Sequence, residues 1–424
     1  MVEQRAGALG PAFTNLFTAN LASSLGDGIA RVALPLLAAR LTSDPFLISI
    51  IAALALLPWL FFAIPAGILI DRIDRRQALA LAQAVRTLLA VLLMVLVATG
   101  TLTIWWLYIV VFVYGALETV YDGAIRAVVP SIVEKVNLPR ANSRIEGAEL
   151  VVQNFVAGPV TSLLFAVAVI IPLGINGLVF ALAGVLALLL PRVASGKQFT
   201  STDGTPQVAW YRQFADGLKF IWANRMLRTL WLLTTFVGLA GSAATATFVL
   251  FVLETLAVPE AAFGLFMLSG AVGGIIGAVV ANRLKSLWGT GLTMAIMAVV
   301  FGLSFVFMGL LPVVWAAALG FGLSSLVITI WNILIMSLRQ SLVPGHLLGR
   351  VHGTWRTLLW GTMPLGSLIG GLIARVDLAL PFIVGGAAAA LASALFFRFL
   401  MTLPNPEDVE PDTAAGPTDP LVGG

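Results

Sequence analysis

Two stretches of this chain place ionisable side chains at helical spacing inside otherwise apolar runs. Asn20, Ser24, Asp27 and Arg31 fall at i, i+4, i+7 and i+11, which is one stripe of a helix. Glu118, Asp122 and Arg126 recur every four residues, again on one face. A charge inside a bilayer costs about 2.5–3.5 kcal/mol on insertion scales, so such groups face a partner, a cavity or a transport path. The chemistry open to them is uptake and release of a proton. A plainer alternative makes Asp27 with Arg31, and Asp122 with Arg126, self-neutralising i,i+4 pairs that only stabilise packing. Glu118 is left over in that arrangement, with no basic residue one turn away, so it is the acid expected to be free to carry a proton. Asp27 ranks beside it and Asp122 follows. Glu146 and Glu149 are expected to open a further apolar segment, where the positive end of a helix suits an acid; Glu149 is also a cavity candidate. Asn332 and Trp331 are candidates for solute contact, with a packed or interfacial role expected instead.

These residues sit in a chain of 424 residues that is 59% hydrophobic and 10% charged, with mean hydropathy +1.01. Soluble domains run nearer to 45–50% apolar and about 25% charged, so the solvent implied here is a lipid bilayer. The net charge of +4 comes from short Lys and Arg clusters between apolar runs, a loop pattern that argues against a nucleic-acid surface. With no Cys and only His346 and His352, disulfides and thiolate-held metals or clusters are excluded, and no cofactor is expected. No phosphate-cradling glycine loop, zinc-binding helix or nucleophile turn is present, which disfavours an enzyme and ATP-driven transport.

About 20 apolar residues cross 30 Å of hydrocarbon. The expected spans are 14–38, 46–70, 78–99, 103–129, 143–168, 171–191, 227–253, 260–281, 290–311, 313–337, 351–374 and 380–401, making an all-α integral membrane protein of twelve helices. The first is read as a retained helix. The expected domains are a six-helix bundle over 1–191, a linker over 192–226, a second six-helix bundle over 227–403 and a disordered acidic tail over 404–424. In the linker, Phe214, Leu218, Ile221 and Trp222 predict an amphipathic surface helix. Lys and Arg gather in alternate loops while the opposite loops hold only Arg40 and Arg375, which places both termini in the cytoplasm. Trp105, Trp106 and Trp315 fit an outer aromatic belt. Arg144-Ile-Glu-Gly147 and Arg350-Val-His-Gly353 precede corresponding helices of the two halves, a weak internal repeat.

The loop between the second and third spans reads Gly67-Ile-Leu-Ile-Asp71-Arg72-Ile-Asp74-Arg75-Arg76. It resembles the major facilitator superfamily signature G-x-x-x-D-R-x-G-R-R/K, with Asp74 in place of the second glycine. Ser24-Leu-Gly-Asp27-Gly, Glu118-Thr-Val-Tyr-Asp122, Leu138-Pro-Arg-Ala-Asn142 and Gly158-Pro159 extend the resemblance to the macrolide-efflux and enterobactin-exporter-like branch. The fifth-helix antiporter motif G-x-x-x-G-P-x-x-G-G is matched in part, with Asn154 at its first glycine and Ser162 and Leu163 at its last pair.

The resemblance implies two pseudo-symmetric bundles and a central cavity lined by helices one, four, seven and ten. It also implies a gate latch built from Gly67, Asp71, Arg72, Asp74, Arg75 and Arg76. The expected function is proton-coupled export of a small amphiphilic or drug-like molecule by alternating access, in the plasma membrane of a bacterium. Its partners are lipid, solute and protons. Uptake or facilitated diffusion by the same fold is the alternative, and a non-transporting membrane scaffold or sensor is the alternative of another class.

Overall fold

The computed structural model describes residues 9–195 and 210–409, and all regular structure among them is helical. Gly10–Leu41 (α1), Pro45–Arg72 (α2), Arg75–Ala98 (α3), Ile104–Ile132 (α4), Lys135–Val167 (α5) and Ile170–Leu188 (α6) come first. Trp210–Ala223 (α7) follows, then Arg225–Thr245 (α8), Glu260–Leu310 (α9), Val314–Leu342 (α10), Gly345–Ala374 (α11) and Leu380–Leu395 (α12). Ten of these helices are long and apolar enough to cross a membrane; Leu380–Leu395 is apolar but shorter.

The 51 residues of α9 would reach about 76 Å at 1.5 Å per residue, over twice the hydrocarbon thickness. The helix breaks at Gly289, with φ 75° and ψ 167°, a backbone state that glycine adopts without a Cβ penalty. Asn405 Oδ1 accepts the Thr290 N–H at 2.8 Å and caps the second arm, while Glu407 meets Lys285 at 2.7 Å. Disorder was expected from Pro404 onward; instead 404–409 dock on this corner because the exposed N–H and ammonium groups need acceptors. The rest of the expected tail, 410–424, and the polar stretch 196–209 lie outside the described residues.

Two further differences matter for function. The α5 segment begins with a short turn at Lys135 and is α-helical from Leu138, so Glu146 and Glu149 lie more than two turns inside it. A helix-end role for either acid is thereby removed, since the terminal field fades within one turn. The expected apolar face of α7 is also rotated. Its Gly217 lies hard against Arg350 and Thr354 of α11, Ile221 is buried, and Trp222 points outward under the Arg228 guanidinium.

Among the first six helices, α1 packs on α4, α5 and α6, α3 on α4 and α6, and α2 on α4. Later, α9 packs on α10 and α12, and α8 on α11 and α12. Contacts between the two groups run through α2 with α11 and α5 with α9. The α5–α9 crossing is very close: a Cβ on Gly264 would overlap the Gly158 backbone, and the Gly264 N–H donates to Ser162 Oγ at 2.8 Å.

Candidate functional site

The polar stripes of α1 and α4 meet, but not in the pairs their spacing suggests. Asp27 Oδ1 lies 3.1 Å from Arg86 Nη1, and the Arg86 side chain is wholly buried in α3. The Arg86 guanidinium also donates to the Tyr114 carbonyl and lies over the Phe180 ring. Tyr114 OH in turn donates to Asn176 Oδ1 at 3.1 Å, and Asn176 Nδ2 to the Gly26 carbonyl at 2.6 Å, which ties α1, α3, α4 and α6 into one network. Buried polar groups are tolerable when linked in this way.

Arg31 Nη2 donates to Glu118 Oε1 at 3.1 Å, so Glu118 is paired across helices rather than free. The expectation that it stands alone is corrected: it rested on neighbours within one helix, whereas α1 and α4 face each other here. Neither Asp122 nor Arg126 has an ion-pair partner within 4 Å among the described residues, and they do not pair with each other. Glu149 accepts a hydrogen bond from buried Asn20 at 2.8 Å. Arg86 was the residue that spacing arguments missed, because it has no charged neighbour on its own helix. Its signal is that a lone arginine in an apolar run requires an acid from another helix.

A cavity of about 290 Å³ lies beside these groups. Asp27, Arg31 and Glu118 supply its charged wall, and Thr245, Phe248 and Met267 belong to its opposite, largely apolar wall. Two further cavities adjoin α4: one of about 250 Å³ against α5, including Asp122, Arg126, Glu146 and Glu149, and one of about 370 Å³ against α2 and α11. The arrangement offers a solute an apolar surface facing a set of protonatable and cationic groups.

Of the proposed latch residues, the side chains of Gly67, Asp71 and Arg72 lie outside the described residues. Asp74 caps α3, accepting the Arg76 N–H at 3.0 Å, which explains an acid where the superfamily pattern has glycine. Arg75 donates to the Ala127 carbonyl in α4 and Arg76 to the Leu190 carbonyl just beyond α6, both at 2.9 Å. Cations there satisfy helix-end carbonyls. In α5, Gly158 and Pro159 form the close crossing with Gly264, directly after a π-helical turn at Val152–Val156. Asn154 is turned back on its own helix, donating to the Leu150 carbonyl at 3.0 Å.

The pattern of the transmembrane secretion effectors matches residues 7–422. The chain belongs to that family. As a transmembrane secretion effector it is a membrane transporter of the major facilitator superfamily, and not an enzyme. It is 28% identical to the multidrug efflux pump Tap of Mycobacterium tuberculosis, over 91% of this chain and 94% of that protein. To macrolide efflux protein A of Streptococcus pyogenes it is 23% identical, over 85% and 89%. A crystal structure of a variant of the nucleoside transporter NupG shares the fold at TM-score 0.77 and 14% identity, covering 92% of this chain and 99% of that one.

Proposed function

We propose that this secretion effector exports a small amphiphilic, drug-like molecule from the cytoplasm, driven by proton entry through the acids of its first half. The observation that carries this reading is the 290 Å³ cavity between a charged wall on α1 and α4 and an apolar wall from residues 245–249 and 263–267. The names of its relatives, a multidrug pump and a macrolide efflux protein, agree with such a solute.

The proposed architecture is twelve crossings in two six-helix bundles, counting the arms on either side of Gly289 separately and including Leu380–Leu395. Lys and Arg asymmetry supports cytoplasmic termini. In that orientation the outer end is shut by two bidentate ion pairs between the bundles. Arg40 pairs with Glu260 at 2.9 and 2.5 Å, and Arg375 with Asp44 at 2.9 and 2.6 Å. The cavities around Asp122 lie nearer the cytoplasmic ends of their helices, so we read the conformation as inward-facing. The α2–α3 loop, with Asp74, Arg75 and Arg76 already bound to helix ends, then serves the opposite, inner closure.

Proton carriage falls to Asp122 in this reading, because Asp27 is held by Arg86 and Glu118 by Arg31. The test uses full-length protein in proteoliposomes with a radiolabelled macrolide and an imposed pH gradient. Uphill movement should require the gradient and disappear in Asp122→Asn, while downhill exchange persists. Gradient-independent movement, or full uphill transport by Asp122→Asn, would overturn proton coupling through this residue.

A further inference from the structure

The bilayer penalises an unpaired charge, and Arg86 and Arg31 meet it by carrying an acid partner. Two arginines that line one cavity do not. Arg126 of α4 and Arg356 of α11 line the same cavity of about 370 Å³, and among the described residues neither has a carboxylate within 4 Å or a hydrogen-bond acceptor. Arg356 lies eleven residues into its helix, two residues beyond Thr354, where α7 packs. Its guanidinium instead rests on two indoles, 4.5 Å from the Trp59 ring centroid and 5.1 Å from that of Trp360. Those rings touch each other at 5.4 Å across the α2–α11 contact. The remaining ionisable groups of the cavity are Asp122 and His352. Within this cavity the two permanent cations face one carboxylate, while Glu146 and Glu149 border Arg126 only from the neighbouring 250 Å³ cavity, and the aromatic wall stands beside the cations.

We propose that this crevice is a binding site for an amphiphilic anion, an oxyanion attached to an aromatic or other apolar body. The oxyanion answers Arg126 and Arg356, whose planar donors suit carboxylate, sulfonate or phosphate oxygens. The apolar body covers the free surface of Trp59 and Trp360. The site differs in sign from the 290 Å³ cavity, where Asp27 and Glu118 outnumber Arg31. One pump then offers adjoining compartments of opposite charge preference. This extends the export reading to anionic cargo, but binding requires no transport. The same chemistry is carried by a phospholipid headgroup entering between α2 and α11, and the experiment separates the two sources.

The test is equilibrium dialysis of radiolabelled 1-naphthalenesulfonate against the full-length protein in phosphatidylcholine nanodiscs, with empty discs subtracted. Saturable binding is expected, with neutral 1-naphthalenemethanol and cationic 1-naphthylmethylammonium binding at least about tenfold more weakly at this site. Arg356→Gln and Arg126→Gln should each weaken the sulfonate by about tenfold or more, the scale of losing one hydrogen bond to a charged group. Arg356→Lys keeps the charge without the planar fork and should fall between, so a folding failure of the glutamine variant does not remove the readout. Phosphatidylglycerol in the discs should lower sulfonate affinity in the wild type but not in Arg126→Gln if a lipid headgroup is the resident. No effect of that lipid assigns the site to free cargo, and either result upholds an anion site. Equal binding of the three probes, no saturable binding, or unchanged affinity in all three arginine variants would overturn it. Loss of macrolide transport with this binding intact would count against the export reading alone.

Discussion

Between Gly10 and Leu188 the helices are stitched together by side-chain polarity: Asp27 with Arg86, Arg31 with Glu118, Asn20 with Glu149, and Tyr114 with Asn176. From Arg225 to Leu403 the acids are Glu254, Glu260 and Asp377, all near helix ends, and the helices meet through glycine. A Cβ on Gly273 would overlap the Gly322 backbone, one on Gly277 the Leu326 carbonyl, and one on Gly370 the Ala243 carbonyl. The contrast separates two duties. The first group of helices holds the groups that can bind and release protons, while the second offers close, chemically inert surfaces suited to sliding. In the proposed export reading, proton coupling falls to the first group, because the later helices carry acids only near their ends.

The sharpest way to break the comparison is to cut a charge in the first half. Arg86→Leu leaves Asp27 inside the protein without its partner, and removing one member of a buried pair costs about 3–5 kcal/mol in soluble proteins. Little monodisperse protein is expected on size-exclusion chromatography. Asp27→Leu together with Arg86→Leu removes both charges and should restore much of the yield, though not transport. A double variant as unstable as the single one would mean that the network, rather than charge balance, holds these helices.

In the second half the equivalent injury is steric. Gly273→Val should lower the thermal unfolding midpoint in detergent, with overpacking worth about 1–3 kcal/mol. Gly147→Ala, where a Cβ meets open space, is the control and should leave the midpoint unchanged. Equal tolerance at the two positions would show that the α9–α10 contact is not set by close backbone approach.

Much of this was legible in the residue pattern, and the exceptions have physical reasons. Helix positions follow from apolar run length, and even the weakly marked division between the fifth and sixth spans falls at Ala168 and Val169, one residue before the expected gap at 169–170. The stripes on α1 and α4 were visible because helical periodicity is local. Their pairing was not, because Arg86 belongs to a third helix and only packing decides which cation reaches Asp27. Arg356 carried no local sign either; its meaning depends on Trp59, almost three hundred residues earlier, being its neighbour. Asp74 shows the same limit on a small scale, where a departure from the superfamily pattern turned out to be a helix cap.

A smaller effect is expected at the ion pairs Arg40–Glu260 and Arg375–Asp44, which join the earlier and later helices. Exposed ion pairs contribute little individually, and bidentate ones contribute more than single contacts. Arg40→Gln with Arg375→Gln should therefore raise outward opening several-fold without harming folding. Because the chain has no cysteine, Leu34→Cys in the cavity wall gives a clean readout with a membrane-impermeant thiol reagent added outside. Unchanged labelling would show that the glycine crossings alone hold the outer end closed.

The smallest effect expected is the response of that outer closure to pH, and its direction follows from Asp44. Hydrogen bonds from Arg375 hold the Asp44 carboxyl below its ordinary value of 3.8, helped by the Phe46 N–H. A carboxylate whose pKa is depressed in the closed state favours closure fully above the ordinary value, and loses that contribution only as pH falls through the depressed one. Between about pH 5 and 8 the pair is therefore constantly ionised and cannot sense an imposed proton gradient. Asp44→Asn should shift Leu34→Cys labelling by a constant factor across that range, leaving the shape of the pH profile unchanged. Asp122→Asn should flatten the profile instead, if proton sensing belongs to the interior acids of the first half. Flattening by Asp44→Asn would move the sensor to the outer face and undo the division of duties between the two halves.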